Sequence, residues 1–148
     1  MVCKEEKLLI KRPRERVFEI AEDIKKHPEF IPKKEVEILD KSNGNNVIYW
    51  SSVNLLGIRF RYLSERSIKG DDAIKIKQIK GLLKGLETEL RFEMPNHQET
   101  ILKVVHRIAF PIPIIGDFIA GLIYSLFIRR MATEFLAGIK ERAESENQ

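Results

Sequence analysis

The chain has 148 residues, 43% of them hydrophobic and 32% charged, and its 26 basic and 22 acidic side chains leave a net charge of +4. That length suits a single domain able to bury about two-thirds of its unfolded surface. The diluted charge excludes a strongly basic nucleic-acid binder and leaves at most mild attraction to phosphate or anionic lipid. One cysteine, Cys3, excludes an intramolecular disulfide and a thiolate metal cluster and points to a reducing compartment, the cytoplasm. The amino terminus has no apolar run of signal-peptide length.

In chain order, the pattern predicts a first strand over Lys4 to Arg12 and a short helix in which Pro13 sits in the first turn. Val17, Ile20, Ala21 and Ile24 give that helix the three-and-four spacing of a packed face, and His27 to Pro32 form a brief apolar corner after it. A train of six further strands follows. Turn signals separate them at Ser42 to Asn46, Leu56-Gly57, Lys69 to Asp72, Gly81 to Gly85 and Pro95 to Gln98, each short enough to join antiparallel neighbours.

The strands alternate. Leu86, Thr88, Leu90, Phe92 and Met94 share one face while Glu87, Glu89, Arg91 and Glu93 share the other, as a sheet wet on one side requires. Ile58, Phe60 and Tyr62 oppose Arg59 and Arg61, Ile74 and Ile76 oppose Lys75 and Lys77, and Leu102, Val104, His106, Ile108 and Phe110 form the last apolar face. Trp50 has the parity of Ile48 and is expected on the outer face; Lys80 and Lys84 read as surface charge beside a hairpin.

The last segment is the oiliest. From Ile108 to Ile128 only Asp117 is charged, which approaches the roughly 20 apolar residues of a membrane-spanning helix. Pro111 and Pro113 interrupt that run, and Gly116-Asp117 then reads as a helix start with Asp117 as the N-cap. The uninterrupted helical part, Phe118 to Ile128, is about 16 Å long and too short for a bilayer core of about 30 Å. Beyond it Ile128, Met131, Phe135 and Ile139 recur at helical spacing, with Arg130, Glu134, Lys140 and Glu141 toward water. One long helix, Asp117 to Ala143 and about 40 Å long, is the element able to cover the sheet. The expected domain is 1–143, with 144–148 a polar tail.

The segments Ile10 to Pro32, Tyr62 to Arg66 and Ile79 to Glu93 resemble START-like helix-grip proteins, the polyketide cyclase/dehydrase and lipid-transport superfamily, nearest the branch of coenzyme Q-binding proteins and a ribosome-association toxin. Two features depart from that branch: Leu90 stands where it usually has tryptophan, and the Pro111/Pro113 approach to the last helix differs from its usual form. The resemblance implies an α+β helix-grip fold. A curved antiparallel sheet of about seven strands would wrap a long carboxy-terminal helix, with two short helices after the first strand.

It also implies a cavity between helix and sheet. Phe118, Leu122 and Leu126 on the helix are expected to face Tyr49, Val53, Phe60, Tyr62, Ile76, Leu90 and Phe92 across it, with Tyr62, Gln78 and His106 as polar groups that orient a guest. His106 also reads, and in the first place, as a core imidazole satisfied by a neighbouring carbonyl. His27, His97 and His106 lack zinc-motif spacing, and Cys3 lacks a visible histidine partner, so no metal, cofactor or thiol chemistry is expected.

The leading expectation is a non-catalytic carrier or chaperone of a lipid, isoprenoid quinone or polyketide-like molecule. An aromatase or cyclase using His106 or Tyr62 for proton transfer is the alternative within the family. A ribosome-association module is a third reading, resting on the resemblance and the basic charge. Ile112, Ile114 and Phe118, with Arg129 and Arg130 nearby, are candidates for peripheral membrane contact. No nucleic-acid motif and no oligomeric state are legible.

Overall fold

The computed structural model describes residues 2–31, 34–43, 46–55, 57–70, 72–81, 83–108 and 115–146, with 40–43, 55 and 115 described in backbone alone. Seven antiparallel strands make one sheet: β1 (Val2–Ile10), β2 (Lys34–Asn43), β3 (Asn46–Leu55), β4 (Ile58–Lys69), β5 (Ala73–Gly81), β6 (Glu87–Asn96) and β7 (Glu99–Ile108). Their spatial order is β1-β7-β6-β5-β4-β3-β2, so consecutive strands from β2 to β7 are hairpin neighbours and β1 closes the far edge against β7. Cys3 is exposed on that edge strand.

Two short helical segments connect β1 to β2. Pro13 is the N-cap of α1 (Arg14–Glu22), one position before the first turn where the sequence places it. Val17, Ile20 and Ala21 are its buried face. The apolar corner is a 3-10 segment, Ile24–Glu29, with Ile24 and His27 buried. The carboxy-terminal rod comprises α2 (Ile115–Ile123), a π-helical turn (Tyr124–Ile128) and α3 (Arg129–Ser145).

Asp117 lies in the first turn of α2 rather than at its N-cap, because the helix is already formed at Ile115. At the other end the helix runs to Ser145, beyond Ala143, and the polar end is tied down. Arg16 donates to Glu146 through Nε (2.7 Å) and Nη2 (2.5 Å), Arg12 donates to the same carboxylate (2.9 Å), and Lys140 donates to Glu144 and to the Leu9 carbonyl. The Pro111/Pro113 approach and Phe110 fall outside the described residues, as do Ile112 and Ile114.

Among the described residues the apolar interior falls into three clusters. The largest joins Ile10, Val17, Phe30, Ile74, Leu90, Phe92, Leu102 and Val104 to the buried stripe of α3, Ala132, Phe135, Leu136, Ile139 and Ala143. A second gathers Leu86, Ile108, Ala120, Tyr124 and Ile128, and a third joins Ile24 to Val47 and Tyr49. Phe135 locks the first cluster from above, with its ring 5.0 Å from His27 and 6.1 Å from Phe30.

Close approach there depends on Gly138. A Cβ at that position would lie 2.8 Å from Phe30 Cβ and Cδ1 and 3.1 Å from its Cα, whereas a Cβ at Gly121 meets nothing within 4 Å. The two glycines therefore predict opposite outcomes. Gly138→Ala should destabilise by about 1–3 kcal/mol through overpacking. Gly121→Ala should stabilise by about 0.5–1 kcal/mol through helix propensity. Chemical denaturation of the two variants measures both signs.

Candidate functional site

Strand register decides what the concave face presents. Tyr49 lies opposite Ser64, and Ser64 opposite Gln78; one row further, Arg66, Ile76, Thr88 and His106 succeed one another across β4, β5, β6 and β7. Because alternate residues point to one side, these polar groups share the inner face with Ile74, Leu90 and Val104. The helix above contributes Ile128, Met131, Ala132 and Phe135.

Between them lies a hollow of about 100 Å³. Its floor and walls include Tyr49, Tyr62, Ile76, Gln78, Leu86, Thr88, Leu90, Val104 and His106, with His27, Ile31 and Lys34 at the end beneath the short helices. Members of all three apolar clusters line it. A second hollow of about 80 Å³ adjoins it, sharing Tyr62, Leu83, Ile128 and Met131 and bounded further by Val53, Phe60, Ile123 and Phe127. Gly81 packs tightly against Tyr62, which lines both: a Cβ there would lie 2.8 Å from the Arg61 carbonyl and 2.9 Å from Tyr62 Cβ.

Of the residues expected at the site, Tyr49, Tyr62, Ile76, Gln78, Leu90 and His106 line the main hollow, and Val53 and Phe60 line the adjoining one. Phe92 is placed elsewhere, buried in the main cluster with its ring 5.1 Å from Phe18. The helix residues need correction. Phe118, Leu122 and Leu126 are 73%, 49% and 58% exposed and do not face the sheet. Ala120, Tyr124 and Ile128 occupy the inward phase instead. The amphipathic stripe of α3, carried backward from Ile128 in steps of four, reaches Tyr124 and Ala120; the all-round apolarity of Phe118 to Ile128 hides that phase. His27 and Lys34, which the sequence reading did not assign to the site, both line it.

The interior imidazoles and phenols are held neutral. Burial lowers His27 to about 3, with Lys34 acting in the same direction, while its Nε2–H donates to the Ala21 carbonyl at 2.8 Å. Burial lowers His106 to about 4, opposed by Glu6. The Thr88 hydroxyl sits 3.0 Å from His106 Nδ1, and Nε2 is buried without a hydrogen-bond partner. Burial raises the phenols of Tyr49 and Tyr62, the latter to about 12. Ser64 donates to Gln78 Oε1 at 2.9 Å, which orients the Gln78 amide. Tyr124 donates its hydroxyl hydrogen to Glu6 at 2.6 Å, anchoring the π-helical turn to β1. Among the described residues no group of three His, Cys, Asp or Glu side chains is arranged to hold a metal.

A curved sheet gripping a long helix over a hollow defines the helix-grip class, and the comparisons agree with it. The chain belongs to the polyketide cyclase / dehydrase and lipid transport family, whose model matches residues 10–136. Its fold is similar to that of the Zhui aromatase/cyclase from Streptomyces sp. R1128, at 17% identity and a TM-score of 0.85 over 99% of this chain and 96% of that one. It is also similar to a START superfamily protein from Mycobacterium smegmatis, at 15% identity and a TM-score of 0.75 over 97% of each chain. A third similar structure is the di-domain ARO/CYC StfQ of the steffimycin biosynthetic pathway, at 20% identity and a TM-score of 0.83, where the chain covers 52% of the larger protein. No curated protein matches the sequence.

The buried imidazoles set an acid limit on stability. An unfolded histidine takes a proton below about pH 6.5, whereas the folded His27 and His106 resist protonation until about 3 and about 4. Their contribution is therefore full above pH 6.5 and is lost as the pH falls toward those values. Between pH 7 and pH 5 each imidazole should remove about 2 kcal/mol of unfolding free energy. Urea titrations at the two pH values should show this loss, and His27→Gln should abolish its own share; equal stability at both would contradict the burial of neutral imidazoles.

Proposed function

We propose that the protein binds a hydrophobic small molecule in the hollow between sheet and helix and carries or shields it without chemical change. The observation that carries this reading is the meeting of three separate apolar clusters around one space whose polar groups are few and, apart from Lys34, neutral. Such a wall desolvates an apolar guest, while Gln78, Tyr62 and His106 supply directional contacts. A lipid, an isoprenoid quinone or a polyketide-like chain meets the apolar requirement. The START superfamily neighbour and the family's lipid-transport members support this reading.

Native mass spectrometry of gently purified protein should reveal a co-purified guest. Ala132→Trp, which places an indole in the hollow, should weaken uptake of the neutral fluorophore N-phenyl-1-naphthylamine by about tenfold or more. Equal uptake by a folded Ala132→Trp variant would contradict the assigned space.

Aromatase or cyclase chemistry is the second reading, favoured by the unpartnered His106 Nε2 inside the hollow and by the aromatase/cyclase neighbours. A neutral imidazole positioned by Thr88 is able to accept a proton from a trapped poly-β-ketone, with the Tyr62 phenol as donor. This reading predicts turnover of a poly-β-ketone thioester that falls by about 100-fold or more in His106→Gln and in Tyr62→Phe. Absence of turnover by the native protein would reject it.

Exchange with a bilayer belongs to the carrier reading. Phe118, Leu122 and Leu126 are exposed together on the rod, which continues to Arg129 and Arg130. Among the described residues no helix is long and apolar enough to cross a membrane, so this surface would rest at the interface. Phe118→Asp/Leu122→Asp should reduce flotation with vesicles containing anionic lipid; equal flotation would reject the role.

A further inference from the structure

Among the described residues, one charged group lines the hollow and no salt bridge is made to it. Lys34 begins β2, and its pairing with Val53 turns it toward the concave face, where it lines the hollow beside His27, Tyr49 and Tyr62. No other described lining residue carries a formal charge at neutral pH, and no carboxylate is among them. The other inward-facing cation nearby has its own partners, since Arg66 donates to the Glu22 carbonyl at 2.7 Å and lies 4.0 Å from the Glu22 carboxylate.

Lys34 is half-buried, so the apolar walls beside it strip part of the hydration of its ammonium while leaving it access to water. Burial accordingly lowers Lys34 to about 8, yet at neutral pH it remains mostly protonated. The neighbouring groups do not compensate it: His27 is a neutral donor to Ala21, and the phenols of Tyr49 and Tyr62 stay protonated. An anion entering the hollow would meet this ammonium with no competing carboxylate among the described lining residues.

We propose that Lys34 makes the cavity selective for amphiphiles with an acidic head, a carboxylate above all, whose oxygens accept hydrogen bonds from Nζ while the apolar tail lies among Leu90, Val104, Ile128 and Phe135. The assignment rests on the ligand-binding reading above and adds a polarity to it: the acidic head lies at the end beneath the 3-10 segment, and the tail extends under the helix. An amine would place like charge against Lys34, and an alcohol would leave the ammonium without a counter-ion. Charge-assisted hydrogen bonds of this kind are stronger than neutral ones and separate otherwise identical tails.

Isothermal titration of the full chain with octanoic acid, 1-octanol and octylamine at pH 7 and low salt tests this. The acid should bind about tenfold or more tighter than the alcohol, and the amine weaker than either. Lys34→Met should bring the acid within about threefold of the alcohol while leaving alcohol binding in place, and Lys34→Arg should keep the preference. If Lys34→Met fails to fold, Lys34→Gln provides the same comparison. Acid and alcohol binding equally to the native chain would overturn the role of Lys34 and leave the hydrophobic-ligand reading intact. A preference that survives Lys34→Met would overturn it likewise. Failure of all three probes to bind would overturn both.

Discussion

The structure depends on a mismatch between a curved sheet and the rod that covers it. The sheet must bury one apolar face, and α3 packs closely enough against Phe30 that only a glycine fits at position 138. Ala132, Phe135, Leu136 and Ile139 fill the space at that end. Farther back along the rod the π-helical turn and α2 settle on a different patch, Leu86 and Ile108, through Ala120, Tyr124 and Ile128. The two footholds do not merge. What lies between them is the hollow, floored in part by side chains too short or too polar to close it: Gln78, Thr88 and His106.

Electrostatics follow the same division between inside and outside. Charges that fix the rod are placed at the rim, where Glu146 meets Arg12 and Arg16, Glu144 meets Lys140, and Glu6 meets both Tyr124 and Arg129. Exposed pairs of this sort contribute about 0–1 kcal/mol each, so they orient the helix ends more than they stabilise the fold. Inside, burial keeps imidazoles and phenols neutral, which makes the interior compatible with an apolar guest. Lys34 breaks that rule, as a half-buried ammonium among the residues that line the hollow.

The sheet was the most legible part of the sequence, because alternation of period two writes the buried face directly. Leu86, Leu90 and Phe92 against Glu87, Glu89 and Arg91 are enough to orient β6, and the same logic turns His106 inward on β7. The helix phase was not legible over Phe118 to Ile128, where nearly every residue is apolar; the π-helical turn at Tyr124–Ile128 adds a local change of phase that no propensity announces. Lys34 was missed for a related reason. A lysine at the start of an edge strand reads as surface charge, and only its pairing with Val53 shows that the inner face claims it. The π-helical turn itself has its N–H of Arg129 bonded to the Tyr124 carbonyl, and Tyr124 is held by Glu6, a partner 118 positions away along the chain. Contacts of that separation leave no local signature.

The central claim is that the space between the two footholds of the rod is a real void able to admit an apolar guest. Crystals of the native protein pressurised with xenon test it most directly, since xenon enters apolar cavities without chemical selection. The account predicts xenon density bounded by Leu90, Val104, Ile128 and Phe135. Side chains packed continuously through that position, with no xenon bound there, would contradict it.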